Sequence, residues 1–174
     1  MNTTIQSIPG RRTEDSDTLR SLAGRYLTFR LGAGSYGVQV SRVREIVRLL
    51  PITVVPQMPP SMCGVVNLRD RVIPVVDLCR HFGQGAVEAG NRTCIVVVET
   101  PSAGGGLRQT GLLVDAVEEV VDVAAAELTA PSILADRADT SHLLGLARMK
   151  GEVKALLDVG RVLAVGELPI PEAA

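Results

Sequence analysis

The stretch GVVNLRDRVIPVVDLCRHFG, residues 64–83, predicts a β-hairpin followed by a short helix. Its two apolar runs, 64–68 and 72–76, are rich in β-branched residues, and the polar residues between them favour a turn, so the runs predict two paired strands. Asp77 then has the side chain of a helix N-cap. The charged tip around Arg69 is therefore expected to stand on a rigid frame.

Apolar segments on both sides of this hairpin predict further short strands. YLTFRL (26–31) and YGVQV (36–40) flank a glycine-rich turn, and TCIVVVE (93–99) is the most continuous apolar strand. A short helix is predicted over 42–48, capped by the serine before it. The segment 110–123 is apolar at alternate and at helical positions alike, so strand and helix both stay open there.

The chain also repeats itself. Two blocks recur in the same order, at offsets of 81 and 74 residues: Gly64 with Gly145, Arg69 with Lys150, Asp77 with Asp158, Gly37 with Gly111 and Glu45 with Glu119. This recurrence predicts a pseudo-twofold pair of similar β units. Short strands between glycine and proline turns favour small barrels, since closure removes exposed sheet edges. Two packed halves would bury more apolar surface and would leave a groove between them.

Bulk composition narrows the classes of function. Of the 174 residues, 46% are hydrophobic and 21% charged, as in a globular domain rather than a disordered chain. The formal net charge of −1 and the aromatic fraction of 2% offer neither the basic surface nor the stacking rings that nucleic-acid binding uses. Three cysteines without C-x-x-C spacing predict neither a disulfide framework nor a zinc site.

Side chains suited to catalysis are sparse. The two histidines, His81 and His142, stand in contexts that favour a half-buried position and a turn, and no metalloprotease, hydrolase or phosphate-loop motif is present. We therefore predict no enzymatic activity, no cofactor and no metal. A rival hypothesis makes Cys79 or Cys94 a nucleophile activated by a histidine, and it predicts a thiol with a lowered pKa.

The two ends differ in composition from the rest of the chain. Residues 1–24 are polar and aperiodic, which predicts a mobile tail, and we expect a domain over 25–166 and a C-terminal tail over 167–174. The N-terminal residues lack the apolar core of a signal peptide, and no run approaches the length of about 18 apolar residues that a membrane span needs. We therefore expect a cytoplasmic protein without direct membrane insertion.

Two charged residues beside apolar neighbours stand out. Glu45 and Arg69 form, on one interpretation, an ion pair that locks the predicted helix to the hairpin, and on another, a contact offered to a partner. An exposed ion pair contributes only about 0–1 kcal/mol and is common on protein surfaces, whereas arginine is enriched at the dominant positions of interfaces. The sequence is compatible with both interpretations. Asp77 and Asp158 are better explained as helix caps.

YGVQVSRVREIVR followed by GVVNLRDRVIPVVDLCRHFG resembles the CheW family of chemotaxis coupling proteins. The family pattern is a YG strand, a V-x-E-I segment, a proline-containing loop and a G-V-x-N-L-R-G-x-x-[IV]-P-[IV]-[IV]-D-L run. The residues that meet it are Tyr36, Gly37, Val43, Glu45, Ile46, Gly64, Val65, Asn67, Leu68, Arg69, Ile73 or Val72, Pro74, Asp77 and Leu78. The resemblance covers residues 25 to about 164.

The resemblance implies a mainly β fold of two intertwined five-stranded SH3-like barrels with short helices, in agreement with the repeat. Similar proteins are not enzymes. They are adaptors that bridge the cytoplasmic tip of methyl-accepting chemoreceptors, a helical hairpin, to the regulatory domain of the histidine kinase CheA in membrane receptor arrays. The residues that match the family's receptor and kinase contacts are Val43, Glu45, Gly64, Asn67 and Arg69. An amphipathic receptor helix would suit the cleft between the barrels.

One departure from the family pattern concerns the turn. The family usually has glycine after the arginine of N-L-R, whereas this chain has Asp70, which would cost conformational energy at a positive φ and would place a carboxylate beside Arg69. We therefore add Asp70 to the expected protein interface. Two alternatives remain: an adaptor of the same fold in another two-component pathway, and a small-ligand-binding barrel, which would need a closed cavity with converging polar groups.

Overall fold

The computed structural model describes residues 17–134 and 140–164, and its regular elements are mostly strands. The strands are β1 (Gly24–Leu31), β2 (Gly34–Gln39), β3 (Val43–Arg48), β4 (Met62–Leu68), β5 (Arg71–Asp77), β6 (Cys94–Pro101), β7 (Leu107–Val114), β8 (Ala116–Val123), β9 (Leu128–Thr129), β10 (Leu143–Met149) and β11 (Glu152–Leu157). The α-helices are α1 (17–22), α2 (Leu78–His81) and α3 (Val159–Ala164).

The strands form two mixed sheets, which we call sheet I and sheet II. Sheet I has the order β8-β1-β2-β11-β10-β9, and sheet II has the order β3-β6-β7-β5-β4. Each sheet combines strands from both halves of the chain, and two parallel pairs, β2 with β11 and β5 with β7, join the halves. The mainly β fold of two intertwined units is thus confirmed. Sheet I has six strands rather than five because the two-residue β9 is added at its edge.

The internal repeat is present in the topology. Strands β1 to β5 correspond in order to β6, β7, β8, β10 and β11, so the two sheets have the same arrangement strand for strand, apart from β9. The hairpins β4–β5 and β10–β11 both show a shift in strand register next to a glycine, Gly64 in the first and Gly145 in the second. Strands β3 to β5 lie in the sheet of β6 and β7, so the halves exchange strands rather than pack side by side.

Apolar side chains fill three layers. The central cluster takes residues from both sheets: Leu27, Phe29, Leu31, Val38, Met62, Val76, Leu78, Cys79, Val96, Val98, Leu112, Val114, Leu157, Val159 and Val162. A flanking cluster in sheet I surrounds Tyr26, and another in sheet II surrounds Ile95. The whole run 95–98 of β6 is 0% exposed, because its residues face the central and the sheet II cluster alternately. Burial on both faces explains its continuous apolar sequence.

The structure corrects one local prediction and resolves another. The helix predicted over 42–48 is wrong, because Val43–Arg48 form strand β3, which follows a 3-10 turn at Val40–Arg42. The apolar spacing of so short a segment fits both periods, and the pairing of β3 with the distant β6 decides for the strand. The ambiguous segment 110–123 is divided between β7 and β8 by a bend at Asp115.

Part of the predicted N-terminal tail has regular structure. Residues 17–22 form α1, and Leu22 packs against the flanking cluster of sheet I, where its carbonyl accepts a 2.7 Å hydrogen bond from the Tyr26 hydroxyl. Residues 1–16 and the predicted C-terminal tail, 167–174, lie outside the described residues. The domain boundaries therefore stay predictions.

A buried lysine in sheet I is surrounded by polar partners. Lys154 is only 3% exposed, and its ammonium donates to Ser35 Oγ at 3.0 Å, Glu118 Oε1 at 3.2 Å and Glu152 Oε1 at 3.4 Å. Arg30 lies 3.7 Å from the Glu118 carboxylate and 3.3 Å from that of Glu152. These residues lie on β1, β2, β8 and β11, which are neighbours in sheet I, so a slip in strand register would leave a buried charge unpaired.

Glu118→Gln is expected to lower the free energy of unfolding by about 1–3 kcal/mol, because the amide leaves the buried Lys154 charge with weaker compensation. Urea denaturation measures this. Asp122→Asn is the matched control, since it opens the Arg25–Asp122 pair, whose two side chains are 71% and 80% exposed. The control should change stability by less than about 0.5 kcal/mol. Equal losses in the two variants would contradict a special role for the buried network.

The same comparison has a pH signature. Desolvation alone raises the pKa of the Glu118 carboxyl, but the hydrogen bonds from Ser35 and Lys154 and the charges of Lys154 and Arg30 outweigh it and hold this pKa below its usual value. A carboxyl with a lowered folded pKa contributes stability above its unfolded pKa and loses it as the pH falls through the folded pKa. The stability gap between wild type and Glu118→Gln should therefore narrow on acidification.

Candidate functional site

The tip of the β4–β5 hairpin is a two-residue turn. Leu68 pairs with Arg71, which leaves Arg69 and Asp70 as the loop, with φ values of 52° and 66°. Two consecutive residues with positive φ indicate a type I′ turn, whose twist matches the flanking strands. The predicted hairpin is confirmed, and Asp77 caps α2 as predicted, with its Oδ1 accepting from the Arg80 backbone N–H at 3.1 Å.

Asp70 takes the turn position at which glycine is least strained. In the repeated hairpin β10–β11 the loop is Lys150 and Gly151, with φ values of 52° and 78°, so glycine stands at the corresponding place. Aspartate tolerates the left-handed region better than most residues but still at some conformational cost. The departure from the family pattern therefore lies at a position of real backbone constraint.

Arg69 and Glu45 form an ion pair. Arg69 Nη1 donates to Glu45 Oε2 at 2.8 Å, and the Arg69 side chain is 73% exposed while that of Glu45 is 22% exposed. Glu45 lies on β3 and Arg69 at the tip of β4–β5, and β3 and β4 are the two edges of sheet II. The pair therefore connects one edge of the sheet to the other and still leaves most of the Arg69 side chain exposed. An ion pair between two elements and a contact available to a partner are thus compatible roles for these residues.

The second half contains the same ion pair. Lys150 Nζ lies 2.9 Å from Glu119 Oε2, with the glutamate on β8 and the lysine at the tip of β10–β11. Sequence reasoning did not identify this pair as a site. The signal was available, because the offset of 74 places Glu45 on Glu119 and the offset of 81 places Arg69 on Lys150.

Gly64 has a structural role beneath the tip. Its φ is 144°, and a Cβ atom built on it would lie 2.2 Å from the backbone oxygen of Thr53. Thr53 and Val65 exchange two backbone hydrogen bonds of 2.8 Å and 2.9 Å, which attach the proline-rich loop before β4 to that strand. Glycine is required here because the loop backbone lies directly over it.

The remaining predicted residues occupy different surroundings. Asn67 is exposed on β4 one rung from the tip, opposite Val72, which is 71% exposed. Val43, the first residue of β3, is half-buried and packs against the central cluster. The structure thus brings Glu45 and Arg69 into direct contact and leaves Asn67 and Asp70 on the surface around them, while Val43 and Gly64 support the site from beneath.

The thiols of Cys63 and Cys79 are not activated for nucleophilic chemistry. Burial raises the pKa of the Cys63 and Cys79 thiols to about 11, with the charge of Asp77 adding to the effect at Cys63 and that of Asp115 at Cys79. The rival prediction of a lowered thiol pKa is therefore wrong for Cys79. Within 17–134 and 140–164 no group of three potential metal ligands occurs, and no helix is long and apolar enough to cross a membrane.

The expected cavity for a small ligand does not match the packing. The flanking clusters occupy the spaces that a ligand-binding barrel would use. A cleft of about 540 Å³ lies beside α2, and its lining includes Glu88, Arg92 and Asp115, which bear charges of both signs. The hairpin tip remains the best-defined candidate site.

Comparison with known proteins agrees with this geometry. The family described as the CheW-like domain matches residues 25–167. The chain belongs to the CheW-like domain family. The chemotaxis protein CheW of Klebsiella aerogenes is 28% identical over 158 residues, which are 88% of this chain and 92% of that protein. The chemotaxis protein CheW of Rhizobium meliloti is 32% identical over 136 residues, 78% of this chain and 84% of that protein.

A solved structure has the same fold. The crystal structure of the scaffolding protein TtCheW from Thermoanaerobacter tengcongensis is similar with a TM-score of 0.72 and 28% sequence identity. The match covers 83% of this chain and 95% of that one. The family resemblance seen in the sequence is thus confirmed by the match and by the fold.

Gly64→Ala is expected to destabilise this CheW-like fold by about 1–3 kcal/mol or more, because the added Cβ overlaps the Thr53 carbonyl. Gly145→Ala is the matched control in the second half, where the Cβ would lie 3.1 Å from the Thr129 carbonyl. Urea denaturation of both variants gives the comparison. A loss in Gly145→Ala as large as that in Gly64→Ala would show that the close approach of Thr53 is not the cause.

Asp70→Gly is expected to stabilise the fold by up to about 1 kcal/mol, since glycine adopts a positive φ without the Cβ penalty. The reverse exchange in the other hairpin, Gly151→Asp, should destabilise by a similar amount. Thermal denaturation of the two variants measures both signs. Destabilisation by Asp70→Gly would mean that the Asp70 carboxylate makes an interaction that outweighs the turn strain.

Proposed function

We propose that this chain is a non-catalytic adaptor that couples the cytoplasmic tip of methyl-accepting chemoreceptors to the regulatory domain of a CheA-type histidine kinase. Membership of the CheW-like family and the match to a scaffolding protein support this. The observation that carries the proposal is the Arg69 guanidinium, held by Glu45 on a rigid hairpin yet 73% exposed.

The surface around Arg69 has the composition of a protein interface. Val72 offers an exposed apolar side chain next to Asn67, and arginine combines apolar stem, planar head and several donors, which is why it is enriched at interface positions that dominate binding. The ion pair with Glu45 restricts the guanidinium before any partner arrives. Preorganisation of this kind lowers the entropy that binding must overcome.

Asp70 modifies the proposed interface. It lies at the apex beside Arg69, and the carboxylate paired with Arg69 is that of Glu45 rather than Asp70. Asp70 therefore presents its own negative charge to a partner. We propose that it adjusts partner choice, favouring a surface that offers a basic group opposite the apex.

An adaptor of the same fold in another two-component pathway is the alternative within the same class. Both functions would use the same exposed hairpin tip. Titration with kinase regulatory domains from a chemotaxis pathway and from the other two-component pathway distinguishes the two functions.

Arg69→Ala is expected to weaken binding to the regulatory domain of a CheA-type kinase from the same organism by about tenfold or more, since truncation of a dominant interface residue costs more than about 1 kcal/mol. Isothermal titration calorimetry measures the affinity. The thermal midpoint should change little, because an exposed ion pair contributes only about 0–1 kcal/mol to stability.

Lys150→Ala serves as the matched variant, because it removes the corresponding ion pair from the other hairpin. If Arg69→Ala bound the kinase domain with wild-type affinity, the hairpin tip would not be part of the kinase interface. A large fall in the thermal midpoint of Arg69→Ala would show that Arg69 has a structural role. Absence of binding heat with the kinase domain, from folded protein, would contradict the chemotaxis proposal and favour the other pathway. Titration with a receptor tip fragment tests the second partner in the same way.

A further inference from the structure

A row of aromatic rings lies at the seam between the two halves. Tyr36 stacks against Phe29 on one side and Phe82 on the other, with ring centroids 6.2 Å and 5.9 Å apart. Phe82 in turn contacts both histidines of the chain: the ring of His81 lies 5.3 Å away, edge to face, and that of His142 lies 5.2 Å away. In a chain with an aromatic fraction of 2%, this concentration of rings is local.

The two histidines come from different halves of the chain. His81 ends α2, which follows the first repeated hairpin, and His142 immediately precedes β10, which begins the second. The offset of 81 places Val162 at the position that corresponds to His81 and Ser61 at the position that corresponds to His142. The histidine contacts therefore break the pseudo-twofold symmetry, and they join α2 of one half to the entry of β10 in the other.

Within residues 17–134 and 140–164, the carboxylates named around this contact are paired with arginines. Beside His81, Arg80 pairs with the buried Asp77 at 3.5 Å, and Gln84 donates to the Tyr36 hydroxyl at 3.0 Å. On the side of His142, Arg161 in α3 pairs with Asp158 at 3.6 Å.

Arg161 Nη1 also reaches the Ser141 carbonyl at 3.5 Å, next to His142. The carboxylates at this seam, Asp77 and Asp158, are thus both engaged with arginines.

Both histidines are half-buried and contact the same Phe82 ring. Burial lowers the pKa of His81 below its usual value, and the nearby His142 lowers it further. A histidine with a lowered folded pKa does not affect stability above its unfolded pKa, where both states are neutral. Below that pH the unfolded state takes up protons more readily, so stability falls on acidification.

We infer that His81, Phe82 and His142 form an acid-sensitive latch, which holds α2 against the segment leading into β10 and opens when His81 becomes protonated. Opening separates the Phe82 ring from His142 and loosens the seam at one side of the central cluster, where Phe82 packs. This device does not depend on the proposed adaptor function, since it rests only on contacts within the chain.

The structure contains a local reporter for the latch and a matched control. The Asp158 backbone N–H donates to the His142 carbonyl at 2.9 Å, directly behind the latch. The corresponding bond of the first half runs from the Asp77 N–H to the Ser61 carbonyl at 2.8 Å, where no histidine stands. Opening of the latch should expose the first hydrogen bond and leave the second protected.

Amide hydrogen exchange of the full chain, followed by NMR at about pH 7.5 and about pH 5.5, tests the inference, because histidine changes charge in this range while most carboxyls titrate lower. After correction for intrinsic exchange, the protection of Asp158 relative to Asp77 should fall severalfold in wild type. In His81→Gln, which removes the titrating imidazole of His81, the ratio should fall much less.

A constant ratio in wild type, or an equal fall in His81→Gln, would overturn the latch. If His81→Gln does not fold, His142→Gln provides the second measurement: the imidazole titration midpoint of His81 should rise when its neighbour is removed. A midpoint that stays unchanged would show that the two histidines do not interact and would also overturn the inference.

Discussion

Burial of the central cluster between sheet I and sheet II is the interaction on which the rest of the structure depends. The strands that contribute to it, such as β6, are covered on both faces, and the residues that do not face the central cluster face a flanking one. Each sheet takes strands from both halves of the chain, so neither half can complete a sheet alone. The apolar layer therefore forms only when the two halves form together, which makes the pair of repeats a single cooperative unit.

The double sheet supports the hairpin that we propose as the recognition element. The left-handed turn at Arg69 and Asp70 sets the direction of the tip, Gly64 lets the proline-rich loop rest against β4, and Glu45 holds the guanidinium. The Glu45–Arg69 contact connects the two edges of sheet II and also leaves Arg69 accessible, because the glutamate is largely covered and the arginine is largely exposed.

The repeat gives the molecule a pair of similar tips, and its individual character lies where the two halves differ. The first tip has an arginine and a strained aspartate, whereas the second has Lys150 and an unstrained glycine. The buried Lys154 network belongs to sheet I, and the corresponding position in sheet II is the apolar Ile73. The histidine contacts likewise occur on one side of the seam. Architecture is shared between the halves, and these polar substitutions differentiate their chemistry.

Features that depend on neighbours along the chain follow directly from the sequence. The β4–β5 hairpin, the cap at Asp77 and the doubly buried β6 were predictable, because turn residues and apolar period act over a few positions. The internal offsets of 74 and 81 residues also predicted the paired β units.

Features that depend on distant partners arise only when the chain folds. Residues Val43–Arg48 form a strand because their backbone pairs with that of β6. The local apolar pattern would also have suited a helix. The contact of Lys154 with Glu118 and the meeting of His81 with His142 at Phe82 join residues from separate elements. Local propensity contains no information on such pairs, since their energy arises only when the packed sheets bring them within a few ångströms of each other.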